Sequence, residues 1–156
     1  MQVVTLLFLR REDEILLAMK KRGFGVGKWN GTGGKVNPGE TVHAASIREC
    51  QEEIGVIPHT PVLVGRLTFL DASNPDFRHD AYLFVATEWQ GEPHETEEMR
   101  PQWFNINDIP FEDMWIDDQI WMPLLLTNKK FTGSFTLSSL DNNKIVKHDI
   151  SEVESL

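Results

Sequence analysis

The stretch Gly34-Lys-Val-Asn-Pro-Gly-Glu40, followed after seven residues by Arg48-Glu-Cys-Gln-Glu-Glu-Ile-Gly-Val56, decides how this chain is read. Asn37-Pro38-Gly39 predicts a turn, because proline presets φ and glycine takes backbone conformations that other residues avoid. From Thr41 to Ile54 the sequence has no Gly or Pro, and Gly55 is the residue type expected just past a helix end. The spacing therefore predicts a helix over Thr41–Ile54. It puts Ala44, Ile47, Cys50 and Ile54 on an apolar side that packs on a sheet, and Glu49, Glu52 and Glu53 in an arc of about 100° on the opposite side.

Glutamates at i, i+3 and i+4 repel, at roughly 0.2–0.5 kcal/mol per pair on an exposed helix. Arg48 offsets only part of this through Glu52. Three such acids fit either a solvated face or a cation site. Hard divalent ions take carboxylate oxygen, and magnesium in particular uses a few carboxylates together with water and substrate phosphates.

Over residues 34–56 the pattern resembles the box of the Nudix family: Gly, five residues, Glu, seven residues, then Arg-Glu-apolar-any-Glu-Glu-any-Gly-apolar. Every fixed position is filled, with Cys50 at an apolar one, where a thiol acts as a small hydrophobe. The resemblance implies a single Nudix domain over residues 1–156, an α+β fold with a mixed sheet sandwiched between helices (α/β/α). It also implies hydrolysis of a nucleoside diphosphate linked to another group. Magnesium, with manganese as a substitute, would sit on Glu49, Glu52, Glu53 and a loop carbonyl at Gly33 or Gly34. Arg48 would orient a metal-binding glutamate and Glu40 would tie down the loop.

Three further stretches, Met19–Lys35, Glu98–Phe104 and Ile109–Asp118, are similar to Nudix hydrolases acting on oxidised purine nucleoside triphosphates. That likeness implies a nucleoside pocket of Thr5, Lys20, Phe24, Asn30, Phe69, Met99, Trp115, Asp117 and Asp118. Thr32, Gly33, Gly34, Lys35 and Ile116 complete the substrate-binding set, and Glu98 stands beside the metal. The residue types suit a purine: Trp115 offers a stacking face, Phe24, Phe69 and Met99 apolar walls, and Asn30 both a donor and an acceptor. Adjacent Asp117 and Asp118 in a closed pocket disfavour double ionisation, so that one retains a proton and donates. The competing reading makes Asp117 a helix N-cap. Within Phe69–Asp80 the chain departs from the family, with Asp71 and His79 at or near places of apolar pocket residues, and Thr32 replaces an aromatic.

The rest of the chain bounds this reading. The 156 residues, 40% of them hydrophobic, suit one domain, and the net charge of −9 argues against a broad surface for duplex nucleic acid. Lys20, Lys21, Arg22, Lys28 and Lys35 nevertheless cluster without an intervening acid, which suits a small polyanion. No apolar run approaches the roughly 18 residues of a membrane span. The apolar start, Val3–Leu9, precedes its arginines and reads as a strand, not a secretion signal. The single cysteine permits no internal disulfide and suits a reducing cytoplasm. A monomer is expected.

Further strands are expected at Glu14–Met19, Val62–Leu70, Ala81–Thr87, Pro101–Ile106, Phe131–Leu137 and Lys144–Ile150. Gly23–Gly34 reads as a loop, residues 71–80 as a polar connection and Glu88–Glu98 as an acidic loop. A second helix is expected to start at Asp117, with Pro123 in its first turns or kinking it. A turn is expected at Asp141–Asn143 and a frayed tail at Ser151–Leu156. Other enzymes of the same chemistry, acting on ordinary nucleotides, dinucleotides or capped RNA, remain open, as does a non-catalytic nucleotide-binding module. The last of these would be expected to have lost box glutamates that this chain retains.

Overall fold

The computed structural model describes residues 1–140 and 144–156, so the expected turn at 141–143 lies outside the described residues. In chain order the elements are β1 (Gln2–Arg11), β2 (Glu14–Lys20), β3 (Trp29–Asn30), β4 (Thr32–Lys35), α1 (Val42–Ile54), β5 (Ile57–Pro58) and β6 (Val62–Asp71). There follow β7 (Asn74–Ala86), β8 (Trp89–Gln90), β9 (Met99–Asn105), α2 (Asp118–Leu126), β10 (Lys130–Leu137) and β11 (Ile145–Val153).

The large sheet runs β11-β10-β6-β7-β1-β2-β3, with β4 added to β1 and β9 to β2. It is mixed: β1–β7 and β6–β10 are parallel, the other pairs antiparallel. Its two faces carry separate cores, as strict alternation along strands requires. Leu7, Leu9, Leu16, Ala18 and Phe84 face α1 with Cys50 and Ile54. Phe8, Ile15, Leu17, Leu83, Phe131 and Phe135 face α2 with Trp121, Met122 and Leu125. The expected sandwich of a mixed sheet between helices is the fold observed.

One irregularity positions the site. β1 and β2 pair only at their turn, Arg10↔Ile15 and Arg11↔Glu14. Beyond it they part, β2 pairing with β9 and β3 and β1 with β4 and β7. The glycine-rich segment crosses this split, with Trp29 and Asn30 on the β2 side and Gly33 and Gly34 beside Leu6 and Thr5 of β1. The stretch expected to be a loop thus contains two short strands, β3 paired with the preceding strand β2 and β4 with the more distant β1.

Other expectations are corrected. The 71–80 connection is strand for most of its length, because β6 and β7 extend to the Asp71↔Asn74 pair. The tail is not frayed at Ser151: Lys130, Phe131 and Thr132 pair with Val153, Glu152 and Ser151. Within the acidic Glu88–Glu98 stretch, β8 pairs with β5. α1 has its expected ends but not its expected buried side. Ala45, Ser46, Cys50, Glu53 and Ile54 are buried, while Ala44 is exposed and Ile47 only partly covered. The glycine backbone of β4 lets α1 approach so closely that Glu53 faces inward.

Candidate active site

At one end of the site, local chemistry fixes the helix. Thr41 Oγ1 caps α1 by accepting the Ala44 N–H at 3.0 Å, and Gly55, at φ 76°, closes it. Arg48 joins the preceding loop to the acidic face. Its Nε and Nη2 donate to the two oxygens of Glu40 at 2.8 and 2.9 Å, its Nη1 to Glu49 Oε1 at 2.9 Å, and its Nη2 also to the Lys35 carbonyl at 3.1 Å. A longer contact, 3.3 Å, reaches Glu52, which is largely exposed. Glu40 also accepts the Asn37 N–H at 3.1 Å. The Arg48 guanidinium holds the Glu40 carboxyl down to about 2, and Glu40 in turn raises the pKa of Arg48.

Glu53 differs from its neighbours. It is buried, 4% exposed, and its Oε2 accepts the Gly33 N–H at 3.3 Å. Burial pushes its carboxyl up to about 8, with the charges of Glu49 and Glu98 adding to the effect and the Gly33 N–H and Lys20 opposing it. Gly33 is required here, since a Cβ would overlap the Thr5 main-chain carbonyl, and one at Gly34, 2.7 Å from the Glu49 carboxylate, would displace that side chain.

Among the described residues, no three His, Cys, Asp or Glu side chains converge into a metal cage of their own. The donor set still fits a divalent ion of the magnesium kind, which asks for one or two carboxylates and fills its remaining positions with water and phosphate oxygen. A buried carboxylate crowded by two further negative charges is also what such a cation relieves.

The other end is a cleft of about 240 Å³ on the α2 side of the sheet. Thr5, Phe24, Asn30, Gly33, Gly34, Phe69, Trp115, Asp117 and Asp118 all line it. Phe24 stacks on Trp115 with ring centroids 5.2 Å apart, and Lys28 Nζ lies 5.2 Å from the Trp115 ring. Asn30 Oδ1 accepts the Gly31 N–H at 2.8 Å, which pins the amide.

Asp117 occupies the N-cap position of α2 but makes no side-chain capping bond, and its Oδ2 accepts the indole N–H of Trp121 at 2.8 Å instead. Asp118 is buried beside it, and its Oδ2 has no hydrogen-bond partner; the same holds for Thr5 Oγ1. Burial raises the pKa of both aspartates, that of Asp118 well above the carboxylate range, where the Asp117 charge and a hydrogen bond that a protonated Asp118 gives Asp117 add to burial. Unsatisfied buried oxygens are uncommon because each carries a desolvation cost. Asp118 Oδ2 is such an oxygen at a residue lining the cleft, whereas the Thr5 side chain, in step with Leu7 and Leu9 along β1, is on the α1 face of the sheet.

Of the remaining residues singled out in the sequence, all but His79 lie outside the cleft lining. Lys20 and Met99 form one cross-strand pair, and Met99 lies in the core under α1. Thr32 is buried and donates to the Leu7 carbonyl at 3.3 Å. Lys35 is exposed at the end of β4, and Ile116 lies between Trp115 and Asp117. Asp71 turns away to bond Ser73, at 2.8 Å to its N–H and 2.6 Å to its hydroxyl. His79 does line the cleft, its ring centroid 4.4 Å from that of Phe77. Burial, then the charges of Lys35 and the N-terminal amine, lower its pKa. Val4, Leu6, Phe77, Ala81, Leu137 and Leu140 complete the wall and were not singled out from sequence. The period-two spacing of Phe77 and Ala81 with His79 is the signal that would have found two of these.

A box helix docked on a glycine pair beside a nucleoside-sized cleft defines a class: residues 1–125 match the NUDIX domain, and the chain belongs to the Nudix hydrolase family, whose members generally need a divalent metal. It is 45% identical over 155 residues, 99% of this chain and 97% of the other, to an oxidized purine nucleoside triphosphate hydrolase of Danio rerio. A protein of the same description from Mus musculus is 44% identical over 154 residues, 99% of this chain and 97% of that one. Among solved structures, a MutT protein from Bacillus halodurans superposes with a TM-score of 0.85 at 24% identity, over 97% of this chain and 98% of that one, a likeness of fold.

Proposed function

We propose that this protein hydrolyses oxidised purine nucleoside triphosphates, such as 8-oxo-dGTP and 2-hydroxy-dATP, to the monophosphate and pyrophosphate. It acts as a cytoplasmic, magnesium-dependent monomer that cleans the nucleotide pool. The observation that carries the base assignment is the pair of adjacent buried carboxyls, Asp117 and Asp118, in a cleft also lined by Phe24 and Trp115. The near full-length relatives from fish and mouse support the same substrate class.

Each part of the chain then has a task. Trp115 stacks on the base. Asp118, kept protonated by burial and by Asp117, donates a hydrogen bond, while Asp117, fixed by Trp121, accepts one. Such a donor–acceptor pair reads the altered edge of an oxidised purine. Glu49 and Glu53 would hold magnesium, helped by Glu52, Glu98 and the Gly33 carbonyl, and Arg48 keeps Glu49 aimed. When bound, the ion neutralises phosphate oxygens and lowers the pKa of a bound water. Water adds at phosphorus, the α–β anhydride P–O bond breaks, and pyrophosphate departs. Lys20 and Lys35 add positive charge near the phosphates.

A triphosphate panel with product analysis tests this. The expected result is a kcat/KM at least about tenfold higher for a modified purine than for dGTP or dATP, one hydrogen bond's worth of discrimination. Higher kcat/KM for ordinary dGTP or a nucleotide sugar than for every modified purine overturns the substrate assignment.

A further inference from the structure

The last turn of α1 leaves main-chain carbonyls without helical partners, and the loop before β9 supplies them. His94 N–H donates to the Ile54 carbonyl at 3.1 Å, and Thr96 Oγ1 donates to the Glu53 carbonyl at 2.8 Å. The same hydroxyl accepts the N–H groups of Glu98 at 3.3 Å and Met99 at 3.2 Å. Thr96 also closes its own turn, its N–H donating to the Met99 carbonyl at 2.9 Å, while its carbonyl accepts from Lys21 Nζ at 2.9 Å. One partly buried side chain therefore binds the backbone of Glu53 on one side and the backbone of Glu98 on the other.

The loop has a second, looser attachment through the basic segment. Lys21 N–H donates to the Glu98 carbonyl at 2.8 Å, and Lys21 Nζ reaches Glu95 at 2.6 Å. Arg22 lies 3.6 Å from Glu98 and 3.8 Å from Glu97, both exposed pairs of the kind that contribute little. Those ion pairs do not touch α1. Among the described residues, the hydrogen bonds from this loop to the helix that carries Glu53 are those of His94 and Thr96, and of these the Thr96 bond alone is made by a side chain, so a substitution can remove it.

We propose that Thr96 is a positioning residue for the hydrolytic centre, whose hydroxyl sets the Glu98 carboxylate against the Glu49–Glu53 face. This rests on the reading of Glu98 as part of the metal site. A threonine that merely satisfied a helix end would affect stability alone. One that positions Glu98 affects metal binding and turnover, and does so through Glu98. Partners that orient ligands of a metal typically matter by about 10- to 100-fold in affinity or activity.

The test is a double-mutant cycle of T96V, E98Q and the pair, read by manganese binding in electron paramagnetic resonance titrations and by kcat and KM. T96V is expected to weaken manganese binding about tenfold and lower kcat similarly, with nucleotide KM within about twofold. T96S, which keeps the hydroxyl, restores both. The double variant is no worse than E98Q, because the two act as one unit. Additive losses, or a T96V protein that binds manganese like the parent, overturn the proposal. If E98Q itself leaves manganese binding and kcat unchanged, the assignment of Glu98 to the metal site falls and takes the proposal with it. Should T96V fail to fold, T96A enters the same cycle.

Discussion

Glu53 and Asp118 are both buried carboxylates with suppressed acidity, and they stand at opposite ends of one site, yet their surroundings differ in kind. Glu53 accepts a backbone N–H and sits among other acids, one of them held by Arg48, which also anchors the loop. Asp118 sits in an apolar cleft against a second aspartate, with one oxygen unpartnered. Several acids crowd the first, whereas the second has apolar walls, one neighbouring aspartate and the charge of Lys28. On the proposed reading the same perturbation would prepare two different completions: a cation at Glu53, a proton and a hydrogen-bonding base at Asp118. Separating chemistry from recognition in this way makes the two ends independently breakable.

The largest effect belongs to the metal end. E53Q preserves size and an acceptor for Gly33 but removes the charge. Pyrophosphate release is expected to fall by about 10²- to 10³-fold in kcat, as when a main electrostatic stabiliser is lost. The ratio of rates on modified and ordinary purines should stay as it was. Unchanged turnover would remove Glu53 from the metal site; a changed ratio would show that the two ends are coupled.

How far these ends were legible from sequence follows from the range of the forces involved. The ends of α1 were legible because Thr41 and Gly55 act on their own backbone within one helical turn. The box glutamates stood out by their spacing, which left a solvated face and a cation site both open; the metal reading came from the family resemblance. Which side of α1 is buried was not, because a 3.6-residue pattern seats apolar residues inward and cannot anticipate a glycine edge that admits Glu53. Asp117 and Asp118 stood out by adjacency, but that Asp117 makes no capping bond was not legible, because its oxygen accepts instead from the Trp121 indole, which the fold supplies. Thr96 gave no sequence signal: its partners lie 43 and two residues away, and only the folded loop brings them together. The strand character of Phe77–Asp80 was hidden because Asn74-Pro75-Asp76 reads as a turn, whereas the turn itself falls at Ala72-Ser73.

The next effect belongs to the base end. D118N keeps the shape and one donor but cannot supply a carboxylic acid proton. A loss of about 10- to 100-fold in kcat/KM is expected for modified purines, the cost of one or two mispaired buried hydrogen bonds. Ordinary dGTP should change by much less, and manganese affinity should not move. An identical loss on every base would assign Asp118 to folding and not to recognition.

The smallest effect separates the two carboxylates by their response to pH and to a cation. A carboxyl whose folded pKa is raised binds more protons when folded, so its contribution favours the folded state below the unfolded value and is lost as pH rises through the folded one. For Glu53 the window runs from about 4.3 to about 8. In chelator, parent stability should decline across that window, and E53Q should flatten the decline, being more stable near pH 9 by about 1–2 kcal/mol, a few degrees in Tm. D118N should act in the same direction, since the pKa of Asp118 is also raised. Magnesium distinguishes them: it should recover the lost stability in the parent and in D118N, by mass action on the folded state, and give E53Q almost none. Thermal melts at several pH values with and without magnesium read all three. A magnesium response retained in E53Q would place the cation elsewhere and dissolve the contrast between the ends.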